Sequence, residues 1–188
     1  MDSGNKAREC WLNVTRRLVI TLIQRRWMEE YQLCPEHSDP TREELERYSE
    51  LQARIAVLAQ EQRQVEEQAE MRLGVLALLD TEPALPVRLA VALLTGKALS
   101  GALSNRIDSV SELAEHAVPN SNPADILRIR QSFSRGGVLR PHCSFIMRRN
   151  LGSCQRVALT ERAVGILLNL PAEQALEFDV YAERNWRD

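Results

Sequence analysis

Only one stretch of this 188-residue chain alternates in the manner of paired strands: Ser144–Arg149 and Cys154–Leu159, on either side of Leu151-Gly152-Ser153. A lone two-stranded hairpin cannot enclose a core. Whatever else the chain buries, it must bury with helices. The composition agrees, with 44% hydrophobic residues of which few are aromatic, an aliphatic bias suited to helix packing. The sequence therefore predicts a mainly α fold with a single β-hairpin.

Residues 5–33 read as a long helix with two adjoining apolar rows, Trp11, Val14, Leu18, Leu22 and Leu12, Val19, Ile23, Trp27, Tyr31. So wide a stripe calls for burial, and it leaves Arg16-Arg17 and Arg25-Arg26 on the solvated side. Pro35 ends the helix by disfavouring helical geometry at Cys34. A second helix starts at Asp39-Pro40-Thr41, either with Asp39 as cap or with Thr41 and Glu44 as a capping box. Its good helix formers continue to Leu79, interrupted only by Gly74. Tyr48, Leu51, Ile55, Leu58, Val65 and Ala69 form a seam that Gln62 and Arg72 break. These two helices are expected to form an antiparallel hairpin, with the glutamates between Glu43 and Glu70 facing solvent.

Asp80-Thr81-Glu82-Pro83, with Pro86, marks a joint. It divides the chain into a helical hairpin at 1–82, a second domain at 83–171, and a polar tail at 172–188 in which Phe178, Tyr181 and Trp186 are spaced for docking. In the second domain an apolar helix runs from Leu85 to Leu94 and is capped by Gly96, and residues 99–107 are ambiguous. Ser109 and Glu112 box the next helix, with Val110, Leu113, Ala114 and Ala117 inward. Asn122, Pro123 and Asp125 open another, whose apolar face is Ile126, Leu127, Ile129 and Phe133. Gly136-Gly137 stops it, and Val138-Leu139 should pack inward. After the hairpin, Thr160 caps a last helix carrying Ala163, Val164, Ile166, Leu167 and Leu168, and Pro171 terminates it. Helices followed by one hairpin with a basic edge suggest a winged-helix-like domain.

That edge is the strongest chemical signal. Between Ile126 and Thr160 lie seven arginines (Arg128, Arg130, Arg135, Arg140, Arg148, Arg149 and Arg156) and no acidic residue. The whole chain has a net charge of −2, so an anionic partner would have to be met by this local patch. Other constellations are weaker. Thr95-Gly96-Lys97 fails as a phosphate loop, because Val91 stands where the first glycine belongs and Ala98 where a hydroxyl must hold magnesium. His142, Cys143 and Cys154 lack a fourth ligand, and neighbours on a strand point to opposite faces. The paired carboxylates at 43–44 and 66–67 have no apolar pocket to tune them on a solvated helix. No metal, cofactor or catalytic residue is expected. Four scattered cysteines without a C-x-x-C, no visible signal peptide and no apolar run of about 20 residues point to a chain of the cytoplasm.

R-L-A-V-A-L-L at 88–94, S-V-S-E-L-A at 109–114, D-I-L-R-I-R-Q-S-F-S-R-G-G-V-L-R-P-H at 125–142 and V-A-L-T-E-R-A-V-G-I-L-L at 157–168 together resemble the winged-helix accessory domain that precedes the ATPase module in a group of bacterial AAA+ proteins. The match falls on Phe133, Leu139, His142, Leu159, Val164, Leu167 and Leu168, and covers about half the chain. The chain departs from that family in having no Walker A, Walker B or arginine finger. The resemblance implies a non-catalytic adaptor or protein-interaction module that works with an AAA+ ATPase or a complex containing one. The hairpin at 1–82 would supply partner contacts or a homodimer interface. The alternative is a winged-helix transcription regulator that dimerises through residues 5–80 and binds DNA with the 128–156 arginines. The acidic whole and the few base readers on the preceding helix (Arg128, Arg130, Gln131, Ser132) make nucleic acid the less favoured partner.

Overall fold

The computed structural model describes residues 3–34, 39–100, 107, 109–119, 122–147 and 155–170. Among them the chain forms seven α-helices and one antiparallel hairpin: α1 (Ser3–Tyr31), α2 (Arg42–Gln68), α3 (Gly74–Leu79), α4 (Leu85–Ser100), α5 (Val110–Ala117), α6 (Pro123–Ser132), β1 (Cys143–Met147), β2 (Gln155–Leu159) and α7 (Glu161–Leu168). The mainly helical architecture with one hairpin is as the residue pattern predicts. All four predicted N-terminal caps are in place with their side-chain bonds: Ser109 and Glu112 close a capping box on α5, Asn122 accepts from the Asp125 amide with Pro123 in the first turn of α6, and Thr160 accepts from the Ala163 amide. At α2 the choice between Asp39 and Thr41 falls to Thr41, boxed with Glu44.

α1 and α2 pack along their length as an antiparallel pair, and α1 also meets α4 and α5. From Pro86 to Thr95 every residue of α4 is buried, which makes it the central helix of the molecule. α4, α5 and α6 touch pairwise, and β2 lies against α4, so three mutually packed helices are followed by a hairpin that rests on them. In the hairpin Cys143 faces Leu159 and Phe145 faces Val157. Buried Cys143, Val157 and Leu159 put one face of the sheet into the core. One cluster of buried apolar side chains runs from Trp11 and Leu58 through Leu93 to Leu167.

Four expectations need correction, each because a partner distant in sequence overrides the local pattern. The second helix does not reach Leu79. It stops at Gln68, and the chain turns back so that Glu66, instead of facing solvent, caps α3 by accepting from the amides of Val75 (2.9 Å) and Leu76 (3.3 Å). Gly74 permits the turn: its φ is +69°, and a Cβ there would lie 2.3 Å from Glu66 Oε1 and 2.4 Å from Trp11 Nε1. Gln62, read as a break in the seam, is buried within it and donates to Thr15 Oγ1 at 2.7 Å. Gly96 does not end α4. The helix continues because Lys97 is buried, its ammonium donating to the carbonyls of Ile107 and Val157 and so tying α4 to β2.

The fourth correction concerns α1. Arg25 is not solvated but buried, donating to the carbonyls of Glu115 (3.3 Å), His116 (2.7 Å) and Ala117 (3.2 Å) at the end of α5. It thereby satisfies carbonyls that a helix end leaves open. Conversely, the second apolar row of α1 is not buried along its whole length, because Trp27 and Tyr31 are exposed. Leu127 and Val138, both expected inside, are also more than half exposed.

Where α1, α2, α3 and α4 converge, Glu66 takes up nearly all of its acceptor capacity. Its carboxylate receives Trp11 Nε1 at 2.8 Å, the two α3 amides, and both terminal nitrogens of Arg88 at 3.0 and 2.9 Å. Arg88 also reaches Gln62 (3.1 Å) and Glu82 (2.6 Å). Burial works against the Arg88 charge, but Glu82 and Glu66 together hold its pKa above the ordinary guanidinium value. A buried pair so fully hydrogen-bonded adds little net stability against an apolar substitute, but removing either partner would leave an uncompensated buried charge among the four helices.

Candidate interaction surface

α6 and the loop after it carry four of the seven arginines that the sequence singles out, Arg128, Arg130, Arg135 and Arg140. The inward side of α6 is narrow, with Ile129 and Ser132 buried. Ala124, Leu127, Arg128 and Gln131 therefore make a contiguous outward face. Gly136 has a φ of +88°, and a Cβ on Gly137 would lie 2.4 Å from the carbonyl oxygens of Gln131 and Ser132. The loop thus doubles back onto the end of α6, fixed by Leu139 N donating to Ser132 O at 2.9 Å. That reversal sets exposed Arg135, Val138 and Arg140 beside the end of the helix.

The seven arginines have different surroundings. Arg128 is paired with Asp125 at 2.9 Å, and Arg130 donates to Ser111 Oγ at 3.2 Å. The Arg140 guanidinium lies 3.9 Å above the Phe145 ring, which is itself edge-on to Phe133; the cation is held on an aromatic face. Arg135 is exposed and Arg156 half-buried on β2. Arg148 and Arg149, with the hairpin turn, lie outside the described residues, as do Cys154 and the segment 172–188. The surface is thus a mixture of exposed aliphatics and arginines already in contact with neighbours. The signal that could have found Leu127 is its place in A-D-I-L-R-I-R-Q: with Ile126 and Ile129 inward, a helix of this pitch turns Leu127 out.

The remaining candidates are accounted for chemically. Burial pushes the Cys143 thiol up to about 12, which disfavours the thiolate that a nucleophile or metal ligand needs. The neighbouring His142 imidazole is held below its ordinary value, first by burial and then by Arg162. Burial likewise lowers His116, whose Nδ1 lies 2.9 Å from the Glu112 carbonyl. A cleft of about 270 Å³ opens between the end of α2 and α3, but its carboxylate Glu66 is already committed to five donors. Among the described residues no group of three or more His, Cys, Asp or Glu side chains is placed to hold a metal ion, and no helix is long and apolar enough to cross a membrane. Comparison with family models, with curated proteins and with solved structures found no match.

Proposed function

We propose that the chain is a non-catalytic, cytoplasmic protein-interaction module that docks through α6 and the loop 133–140, with an AAA+ ATPase or its complex as the partner its resemblance implies. The observation that carries this reading is the mixing of exposed Leu127 and Val138 with Arg128, Arg135 and Arg140 on one helix-loop unit. Protein interfaces favour such a blend of apolar contact and arginine. A DNA-reading helix instead presents polar side chains to base edges and free cations to phosphates. Here the helix offers Leu127, and Arg128 is neutralised by Asp125.

The test compares the full chain with the variant Leu127→Asp/Arg135→Glu as bait. Capture of an AAA+ ATPase by the wild type and its loss in the variant is the supporting result. Binding to a 30-base-pair duplex that falls steeply with salt, and is abolished when Arg148, Arg149 and Arg156 become alanine, would instead establish the DNA-binding regulator.

A further inference from the structure

The outward face of α1 carries a second exposed strip that is separate from these arginines. Arg16, Ile20, Ile23, Trp27 and Glu30 follow one another at intervals of four, three, four and three residues, the repeat that allows one helix to seat along another. Ile20 is 46% exposed, Trp27 49% and Tyr31 56%; Ile23 beside them is half-buried. The Trp27 and Tyr31 rings sit 5.8 Å apart. The opposite side of α1 is already occupied by α2, α4 and α5. The fold engages this strip only in part: Ile23 packs against the core at its edge and Glu30 pairs with Arg26 at 2.8 Å, while Ile20, Trp27 and Tyr31 stay exposed.

We propose that the strip pairs with the same strip of a second copy of this chain, antiparallel, about a two-fold axis close to Ile23. Charge complementarity selects this occupant and its direction. Arg16 and Glu30 mark the two ends of the strip, about 21 Å apart along the helix. A parallel pair would set Arg16 on Arg16 and Glu30 on Glu30. An antiparallel pair sets Arg16 of one copy against Trp27, Glu30 and Tyr31 of the other, where its guanidinium meets both aromatic faces and a carboxylate. Ile23 then meets its counterpart at the centre, and Ile20 of each copy lies beside Trp27 of the other. A two-fold contact requires one patch to complement itself, and a strip that is cationic at one end, apolar in the middle and aromatic-anionic at the other does so only head to tail.

Sedimentation equilibrium of the full chain from about 1 to 100 µM, the range in which a contact of modest size dissociates, is the experiment. The expected result is a reversible monomer–dimer equilibrium. Trp27→Glu should raise the dissociation constant by about thirtyfold or more while leaving helix content and melting temperature unchanged, since the position is exposed. Arg16→Glu should weaken the dimer, and Arg16→Glu/Glu30→Arg should recover it. Leu127→Asp, on the α6 surface, should leave the equilibrium as it is, so a failure here is distinct from a failure of the docking reading. A wild-type chain that is monomeric throughout, or a dimer indifferent to Trp27→Glu, overturns the proposal. Tightening by Arg16→Glu overturns the antiparallel arrangement.

Discussion

Gly74 shows how much of this molecule depends on single positions. It is visible in the sequence only as an interruption in a run of helix formers, and the reading that carries the second helix past it to Leu79 follows from propensity alone. What overrides propensity is a carboxylate 8 residues earlier in the chain that needs the amides of α3 and the indole of Trp11. Such a partnership has no local signature, because Glu66 sits among glutamates that are solvated. Gly74→Ala is expected to destabilise the fold by about 2–4 kcal/mol, since it combines a left-handed φ with a Cβ driven into a buried charged cluster; urea unfolding followed by circular dichroism measures it. A value near that of an exposed loop substitution would show that the Glu66 cluster yields easily. Arg25 was illegible for the same reason: in sequence it is one of two adjacent arginines, and the carbonyls it reaches lie at the end of α5, some 90 residues away.

At the scale of elements, what was legible is what the chain encodes locally. The boxes Thr41–Glu44 and Ser109–Glu112, the Asn122–Pro123 start and the alternation of the hairpin each act within about four residues, and each is found where the sequence puts it. Where elements end depends more on neighbours: α4 passes through Gly96 because Lys97 is needed at β2. Ser109→Ala removes the oxygen that receives the Glu112 amide and should cost about 1 kcal/mol, a fall of about 2–4 °C in melting temperature for a chain of this size, read by scanning calorimetry. The arginine signal around the hairpin was legible as composition but not as arrangement. Sequence counts Arg128 and Arg140 as equals, whereas one is paired with a carboxylate and the other stacked on a ring.

Across the whole molecule the described histidines act in concert. Burial lowers His116 and His142 below the ordinary imidazole value. The unfolded chain therefore takes up these protons at a higher pH than the folded one. Stability from this source is full above about pH 6.5 and is lost as the pH falls through the depressed folded values. Urea unfolding at about pH 8 and about pH 5.5 should show the lower value at the acid end, and His116→Gln/His142→Gln should flatten the difference; the pH range stays above that of the carboxylates, where lowered Glu44 would add an effect of the same sign. One contact between segments far apart in sequence has a consequence of another kind. Arg8 donates to the carbonyls of Leu168 at 2.7 Å and Asn169 at 3.2 Å, across 160 residues of chain. During synthesis α1 can pair early with α2, which follows it directly, but its contact with α7 must wait through the translation of nearly everything between. A nascent chain of this topology presents sticky surface to the crowded cell until α7 is made. Synthesis of α7, not local helix formation, then sets when this contact can close.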